Sequence, residues 1–308
     1  AKLQAQQQQE KIAVEYIEKG DFEKAYVFLE KLIKKEHDLS VYELYRSTLI
    51  ELRKWDELDK YTKKKLKKNP DNILFVVDYG EVIKIKKDDN SSKKYFDKLF
   101  KEYSSSTISV EKIGLFLVKR EEYKLAIQLY LTSRKSLRSD VLYVDKLTEL
   151  YQFLNKKSLM IDEYLAWLVN TFVNKNSLEN VQNNLQNALQ DEDDYNLLID
   201  LIYKKLEENS QNENLLRLIA WSYIQQQDFY NAFVQLRALD KKHPVDGHEL
   251  MELGNMALDN KEYQTSIDIF DYLSDNYPNG LFYIKYKKSA IFARELLAKS
   301  SYPIDTNK

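Results

Sequence analysis

The sequence contains no cysteine. Disulfides, thiolate zinc sites and cysteine nucleophiles are therefore excluded. Its 308 residues include only 6 glycines and 4 prolines. That is too few for the turns of a β-sandwich or the loops of an α/β enzyme of this length. Three histidines occur: His37, His243 and His248. There is no apolar run of about 18 residues, so no membrane-spanning helix is expected. Neither sign of charge dominates. The formal net charge is -2, and nothing global marks a binder of nucleic acid or another polyanion.

What is present is core material with a solvated surface: 44% apolar and 31% charged residues, a balance that argues against disorder. Charge is uneven locally. Lysines crowd the stretch from Arg53 to Lys101, including Lys63-Lys64-Lys65 and Lys67-Lys68. Acids crowd Glu179 to Glu213, including Asp191-Glu192-Asp193-Asp194. Such runs read first as solvated outer faces of helices and second as docking patches. The N-terminus, Ala1-Lys2-Leu3-Gln4-Ala5 followed by Gln6 to Gln9, resembles the remnant beside a signal-peptide cleavage site. The expectation is an exported protein, periplasmic or outer-envelope associated, with a cytoplasmic helix start as the other reading.

Self-similarity at a fixed period organises the rest. Short turn marks carry an aromatic three positions before a small residue: Phe22 before Ala25, Tyr123 before Ala126, Phe229 before Ala232 and Tyr263 before Ser266, with Trp55 before the larger Leu58. Trp55 follows Phe22 by 33 positions, Tyr123 follows Trp55 by 68, and Tyr263 follows Phe229 by 34. From Tyr123 to Phe229 the separation is 106, three periods of 34 and four positions more. Proline reports the same period independently. Pro70, Pro244 and Pro278 each stand 15 positions after their turn aromatic, and Pro70 to Pro244 is five periods with the same four added.

The repeating unit places apolar and small residues with helical spacing: Leu250-x2-Leu253-Gly254-x2-Ala257 with Ser266-x3-Phe270 and Pro278, and Leu216-x2-Ile219-Ala220-x2-Tyr223 with Ala232-x3-Leu236 and Pro244. Val110-x2-Ile113-Gly114-x2-Leu117, Val76-x2-Tyr79-Gly80-x2-Ile83 and Gln9-x2-Ile12-Ala13-x2-Tyr16 repeat it. In these residues the chain resembles the tetratricopeptide-repeat family, a 34-residue helix-turn-helix. Arg46 departs from the pattern by standing where the small residue belongs. The resemblance implies an all-α solenoid over residues 1–308, about eight helix pairs plus a terminal capping helix at 280–300, without β-sheet. Residues 155–212, which hold the four added positions, read as degenerate units with helices at Ser158 to Asn170, Ser177 to Gln190 and Tyr195 to Asn209. The last helix, Leu281 to Lys299, is not polar on every face, which is compatible with a natural chain that continues beyond Lys308. Glycine costs roughly 1 kcal/mol in a helix, so Gly80, Gly114 and Gly254 at equivalent places point to close helix approach. Gly20 lies in a turn that needs a positive φ.

Catalytic chemistry finds no purchase. His243 and His248 are five apart across Pro244, a spacing that does not put two ligands on one helix face. No nucleophile turn, P-loop or dinucleotide fingerprint occurs. No catalytic, cofactor or metal residue is assigned, and no enzyme is expected. The 23 tyrosines and 13 phenylalanines fall mostly at core and turn positions, so base stacking is the weaker reading of them.

In the family that the chain resembles, first helices line a concave groove that takes ligands. That register puts Glu43, Ser47, Val77, Glu81, Glu111, Leu115, Arg217, Trp221, Met251 and Asn255 there. The family's carboxylate clamp of Lys-x3-Asn and Lys-x3-Arg is missing at the aligned pairs, including Arg217-x3-Trp221 and Met251-x3-Asn255. The expected function is a non-catalytic interaction scaffold whose partner is a protein or peptide, with Trp221 and Arg217 as anchors, Asn255 beside them, and Glu81 and Glu111 favouring a basic or amide-bearing segment. Two other readings stand: a nucleic-acid-binding repeat acting through the lysine-rich stretch, and an accessory domain of a longer enzyme. Oligomeric state is not specified by the sequence.

Overall fold

The structure, a computed structural model, describes residues 2–34, 39–171, 175–210, 212–244 and 247–301. Among them every regular element is helical, with seventeen α-helices and no strand. The chain comprises two compact units, Ala1–Ser139 and Asp140–Lys308.

Unit 1 contains four consecutive pairs: α1 (Lys2–Glu18) with α2 (Phe22–Leu32), α3 (Leu39–Glu51) with α4 (Trp55–Lys68), α5 (Ile73–Lys86) with α6 (Asp89–Tyr103), and α7 (Thr107–Lys119) with α8 (Tyr123–Leu137). Unit 2 contains α9 (Val144–Phe153), α10 (Lys157–Asn170), α11 (Lys175–Ala188), α12 (Glu192–Glu208), α13 (Glu213–Gln225), α14 (Phe229–Lys242), α15 (His248–Asp259), α16 (Tyr263–Asn276) and α17 (Tyr283–Ser301). Eight pairs and a terminal helix are what the period predicts.

The turn aromatics are explained by one recurring device. Phe22, Trp55, Tyr123, Phe229 and Tyr263 are each the first residue of a second helix. Two positions earlier stands a residue with positive φ: Gly20 (74°), Arg53 (54°), Glu121 (59°), Gln227 (59°) and Lys261 (67°). The N–H of the residue between them closes a six-residue turn onto the first helix: Asp21 to the Tyr16 carbonyl (2.8 Å), Lys54 to Leu49 (2.9 Å), Glu122 to Leu117 (2.9 Å), Asp228 to Tyr223 (2.9 Å) and Glu262 to Ala257 (2.9 Å). This is the Schellman closure of a helix, which satisfies carbonyls that the helix end would leave without donors. Only the first of the five uses glycine.

A sixth copy lies inside the stretch read as degenerate. Asn155 has φ 53°, and the Lys156 N–H reaches the Tyr151 carbonyl at 2.7 Å. Lys157 opens α10 where an aromatic would stand, one full period after Tyr123. The period therefore persists to Lys157, and the four added positions lie between there and Phe229. That span holds α12, at 17 residues longer than the other second helices. Here α10 packs on α12 and α13 as well as on α9.

Packing inside a pair follows a spacing of 16. A small residue on the first helix faces a larger one on the second: Gly80 and Phe96, Gly114 and Tyr130, Gly254 and Phe270. A Cβ built on Gly254 would lie 2.9 Å from the Phe270 ring and 3.1 Å from Ile269, so the glycine is required by close approach. Ser92 and Ser266 add equivalent hydrogen bonds across the pair, donating to the carbonyls of Gly80 and Gly254 at 2.9 Å each. In α17, Tyr286, Ala290 and Ala293 are buried, while Ile284, Ile291 and Phe292 are exposed.

Candidate functional site

The side chains singled out by the sequence lie on first helices, and each unit treats that face differently.

In unit 1 the face is filled with charge. Arg46 occupies the position kept small elsewhere, and the residue 16 positions on, a ring or leucine in other pairs, is Thr62, itself fully buried. Large and small have exchanged places, which turns a guanidinium inward at 4% exposure. Its Nε lies 3.3 Å from Asp78, and its Nη2 donates to Glu81. Asp78 is fully buried. It accepts from the Tyr42 hydroxyl (2.8 Å) and from Nε and Nη2 of Arg120 (2.8 and 3.2 Å). Arg120, the C-cap of α7, also donates to Glu43 (2.6 Å), which accepts from Lys119 at 3.1 Å. Three carboxylates and three cations from α3, α5 and the end of α7 thus neutralise one another.

Burial desolvates Glu81 and holds its carboxyl above the ordinary glutamate range, with Asp78 adding to the rise and Arg46 opposing it. Burial pushes Glu43 the same way, but bonds from Arg120 and Lys119 outweigh it and leave that carboxyl low. Desolvation raises the Tyr42 phenol, reinforced by the Asp78 charge, so Tyr42 acts as a donor. Glu81 is committed to Arg46. Glu111, exposed on α7, stands outside this network. Val77, expected to line a groove, is buried.

In unit 2 the corresponding face is open. A recess of about 710 Å³ lies among α11, α13 and α15, lined also by Leu236, Leu239 and Asp240 of α14. From α13 it takes Arg217, Trp221 and Ile224, spaced by four and three so that they share a face. From α15 it takes His248, Glu249, Glu252, Leu253 and Met256. Trp221 is half-buried, its ring 6.0 Å from that of Tyr195. Arg217 is 35% exposed, held between Glu213 (3.0 Å) and Glu249 (3.1 Å). Burial acts to lower the Arg217 pKa, but those two carboxylates leave it raised. The bond from Arg217 holds Glu213 below its ordinary value. His243 contacts Glu213 at 3.1 Å, and His248 lies 3.7 Å from Glu252. Both imidazoles, read from sequence as surface histidines, are exposed yet line this recess. His37 falls outside the described residues.

Trp221 and Arg217 are therefore brought together, and Asn255 is not with them. It is half-buried on α15, away from the recess lining, and Met251 is buried in the core. The reason is geometric. A repeat projects equivalent residues in the same direction, but a gap between neighbouring helices is lined by different flanks of each. Residues one period beyond Arg217 and Trp221 thus need not face the gap that those two line. Sequence reasoning missed Glu249, Glu252 and Met256. Their signal is the separation of 32 between Arg217 and Glu249, slightly under one period, which brings adjacent first helices level.

The lysine-rich stretch runs over α4, α5 and α6, with most of its lysines on the second helices α4 and α6. On α4 Lys63 donates to Asp59 at 2.9 Å, and Lys65, Lys67 and Lys68 stand in the last turn, where cations suit the helix dipole. Lys86, at the end of the first helix α5, donates to Asp56 of α4. Among the described residues no group of three or more acids and histidines is arranged to hold a metal ion, and no helix is long and apolar enough to cross a membrane.

No family model matches the sequence, and no curated protein does. Solved structures with a similar arrangement of helices include a tetratricopeptide repeat protein from Parabacteroides merdae, 12% identical over 94% of this chain and 99% of that one, with a TM-score of 0.31. The TPR2AB domain of yeast Sti1, solved in a complex with pHSP90, is 14% identical over 97% of this chain and 99% of that one, at 0.27. Pseudomonas aeruginosa pilF is 13% identical over 92% and 97%, at 0.23. The fold is carried by the chain's own geometry: periodic helix pairs, Schellman turns at a fixed place in six of them, and a small residue facing a large one within the pair make this an all-α array of repeated helix pairs.

Proposed function

We propose that this chain is a protein-interaction repeat that holds a segment of a partner protein in the recess of unit 2. The observation that carries the reading is the half-buried Trp221 on the recess wall, one helical turn from Arg217 and beside Ile224, Leu253 and Met256. Ligand sites commonly measure about 300–1,000 Å³; this recess falls in that range, and its lining joins apolar side chains to charged ones. Tryptophan and arginine are also the residue types enriched among interface hot spots. The unit 1 face is self-neutralised.

The test is site-directed photo-crosslinking in the native host. A crosslinking residue at Met256, exposed at the recess, should capture a defined partner, and one at the exposed Tyr230 of α14 should not. Trp221→Ala should abolish that capture, with binding of the purified partner weakened tenfold or more, as expected for a hot spot of at least about 2 kcal/mol. Capture of the same partner through Lys64 or Lys67, indifferent to Trp221→Ala, would move the working surface to the second helices.

A further inference from the structure

From the charge and shape of this recess we infer that its occupant is a basic segment, seated through a lysine or arginine side chain over Trp221. The inference rests on the reading of the recess as a partner site and adds the partner's chemistry. Five carboxylates line the cavity, those of Glu179, Glu213, Asp240, Glu249 and Glu252, against one guanidinium and two imidazoles. The guanidinium is already shared by Glu213 and Glu249, which engages those two carboxylates, as Tyr272 and Tyr277 engage Asp240. The acids still outnumber the cations, with Glu252 the most exposed of those paired. An acidic segment would meet like charge on three sides, from α11, α13 and α15. A cation meets opposite charge on the same three.

The apolar part fits the same ligand. Lysine and arginine carry long methylene stems that lie along apolar surface while the charged head stays in polar surroundings. Ile224, Leu253 and Met256 supply the apolar surface, and Glu252, 57% exposed, stands at the rim near them. An indole is the best aromatic partner for a cation over its face. Tyr195, inclined at 54° to Trp221, packs beside that ring.

The experiment is a randomised decapeptide library probed with the full chain, followed by affinity measurement on the selected peptides by fluorescence anisotropy. The expected result is enrichment of one lysine or arginine flanked by apolar residues. Affinity should fall at least tenfold in Trp221→Ala and in Glu252→Lys, and should weaken from 50 to 300 mM salt as a partly exposed charge contact is screened. Glu252→Lys changes an exposed residue and leaves the core intact, so its effect is separable from folding. Selection of peptides without a basic residue, lost in Trp221→Ala but retained in Glu252→Lys, would overturn the inference while leaving the recess as a binding site. Selected basic peptides whose affinity neither variant changes would overturn both, as would a selection that enriches nothing.

Discussion

Unit 1 and unit 2 are built from the same helical pair, yet one fills its first-helix face with ion pairs and the other leaves it open. The difference starts from single residues. In unit 1, Arg46 replaces a small residue and draws Asp78, Glu81 and Arg120 into a desolvated network. In unit 2, Ala220 keeps the small position, the neighbouring Trp221 remains accessible, and Arg217 stays near solvent between two half-exposed glutamates. A repeat position that is replaced contributes to specificity of packing.

The largest expected effect tests that contrast directly. Asp78→Ala removes the fully buried carboxylate that accepts from Arg120 and Tyr42 and pairs with Arg46, and breaking one partner of a buried ion pair costs about 3–5 kcal/mol. Glu249→Ala removes a 54%-exposed partner of Arg217 and should cost under about 1 kcal/mol, in the range of surface pairs. Urea unfolding of the two variants measures both. Equal losses would show that the two faces do not differ in the way described.

Next in size is the packing shared by both units. Gly254→Leu forces a side chain against Phe270 and Ile269, and overpacking of this kind costs about 1–3 kcal/mol. Thermal melts should show a lowered midpoint. An unchanged midpoint would mean that the second helix gives way freely and that the spacing of 16 does not constrain the pair.

These contrasts were unequally legible beforehand. The turn aromatics and prolines revealed the period because local backbone demands recur in every pair: Phe22, Trp55, Tyr123, Phe229 and Tyr263 all open second helices. The positive φ at Arg53, Glu121, Gln227 and Lys261 left no mark in residue type, since a strong closing hydrogen bond holds ordinary side chains there. Arg46 was visible as an anomaly, but its partners were not. Asp78 and Arg120 lie 32 and 74 positions away on other pairs, and only packing brings them level. Trp221 and Arg217 could be placed together because side chains four apart on one helix share a face. Asn255 is not among the residues that line the recess, and period alone cannot say which flank of a neighbouring helix meets a gap.

The smallest expected effect uses two carboxylates of one network with opposite shifts. Glu43 sits below its ordinary value near 4.5 because its bonds to Arg120 and Lys119 outweigh burial. Its contribution to stability is therefore present above the unfolded value and is lost as pH falls through the lower folded value. Glu81 sits above 4.5 because burial dominates. The folded state binds its proton more tightly than the unfolded chain does, so stability falls as pH rises from about 4.5 through the raised value. The two Gln variants should then diverge with pH. Relative to the native chain, Glu43→Gln should lose more stability at pH 7 than at pH 4, whereas Glu81→Gln should fare better at pH 7 than at pH 4. Urea unfolding at the two pH values measures both differences. Parallel behaviour would mean that the two carboxylates titrate as one unit, and that Arg46 compensates Glu81 as fully as Arg120 and Lys119 compensate Glu43.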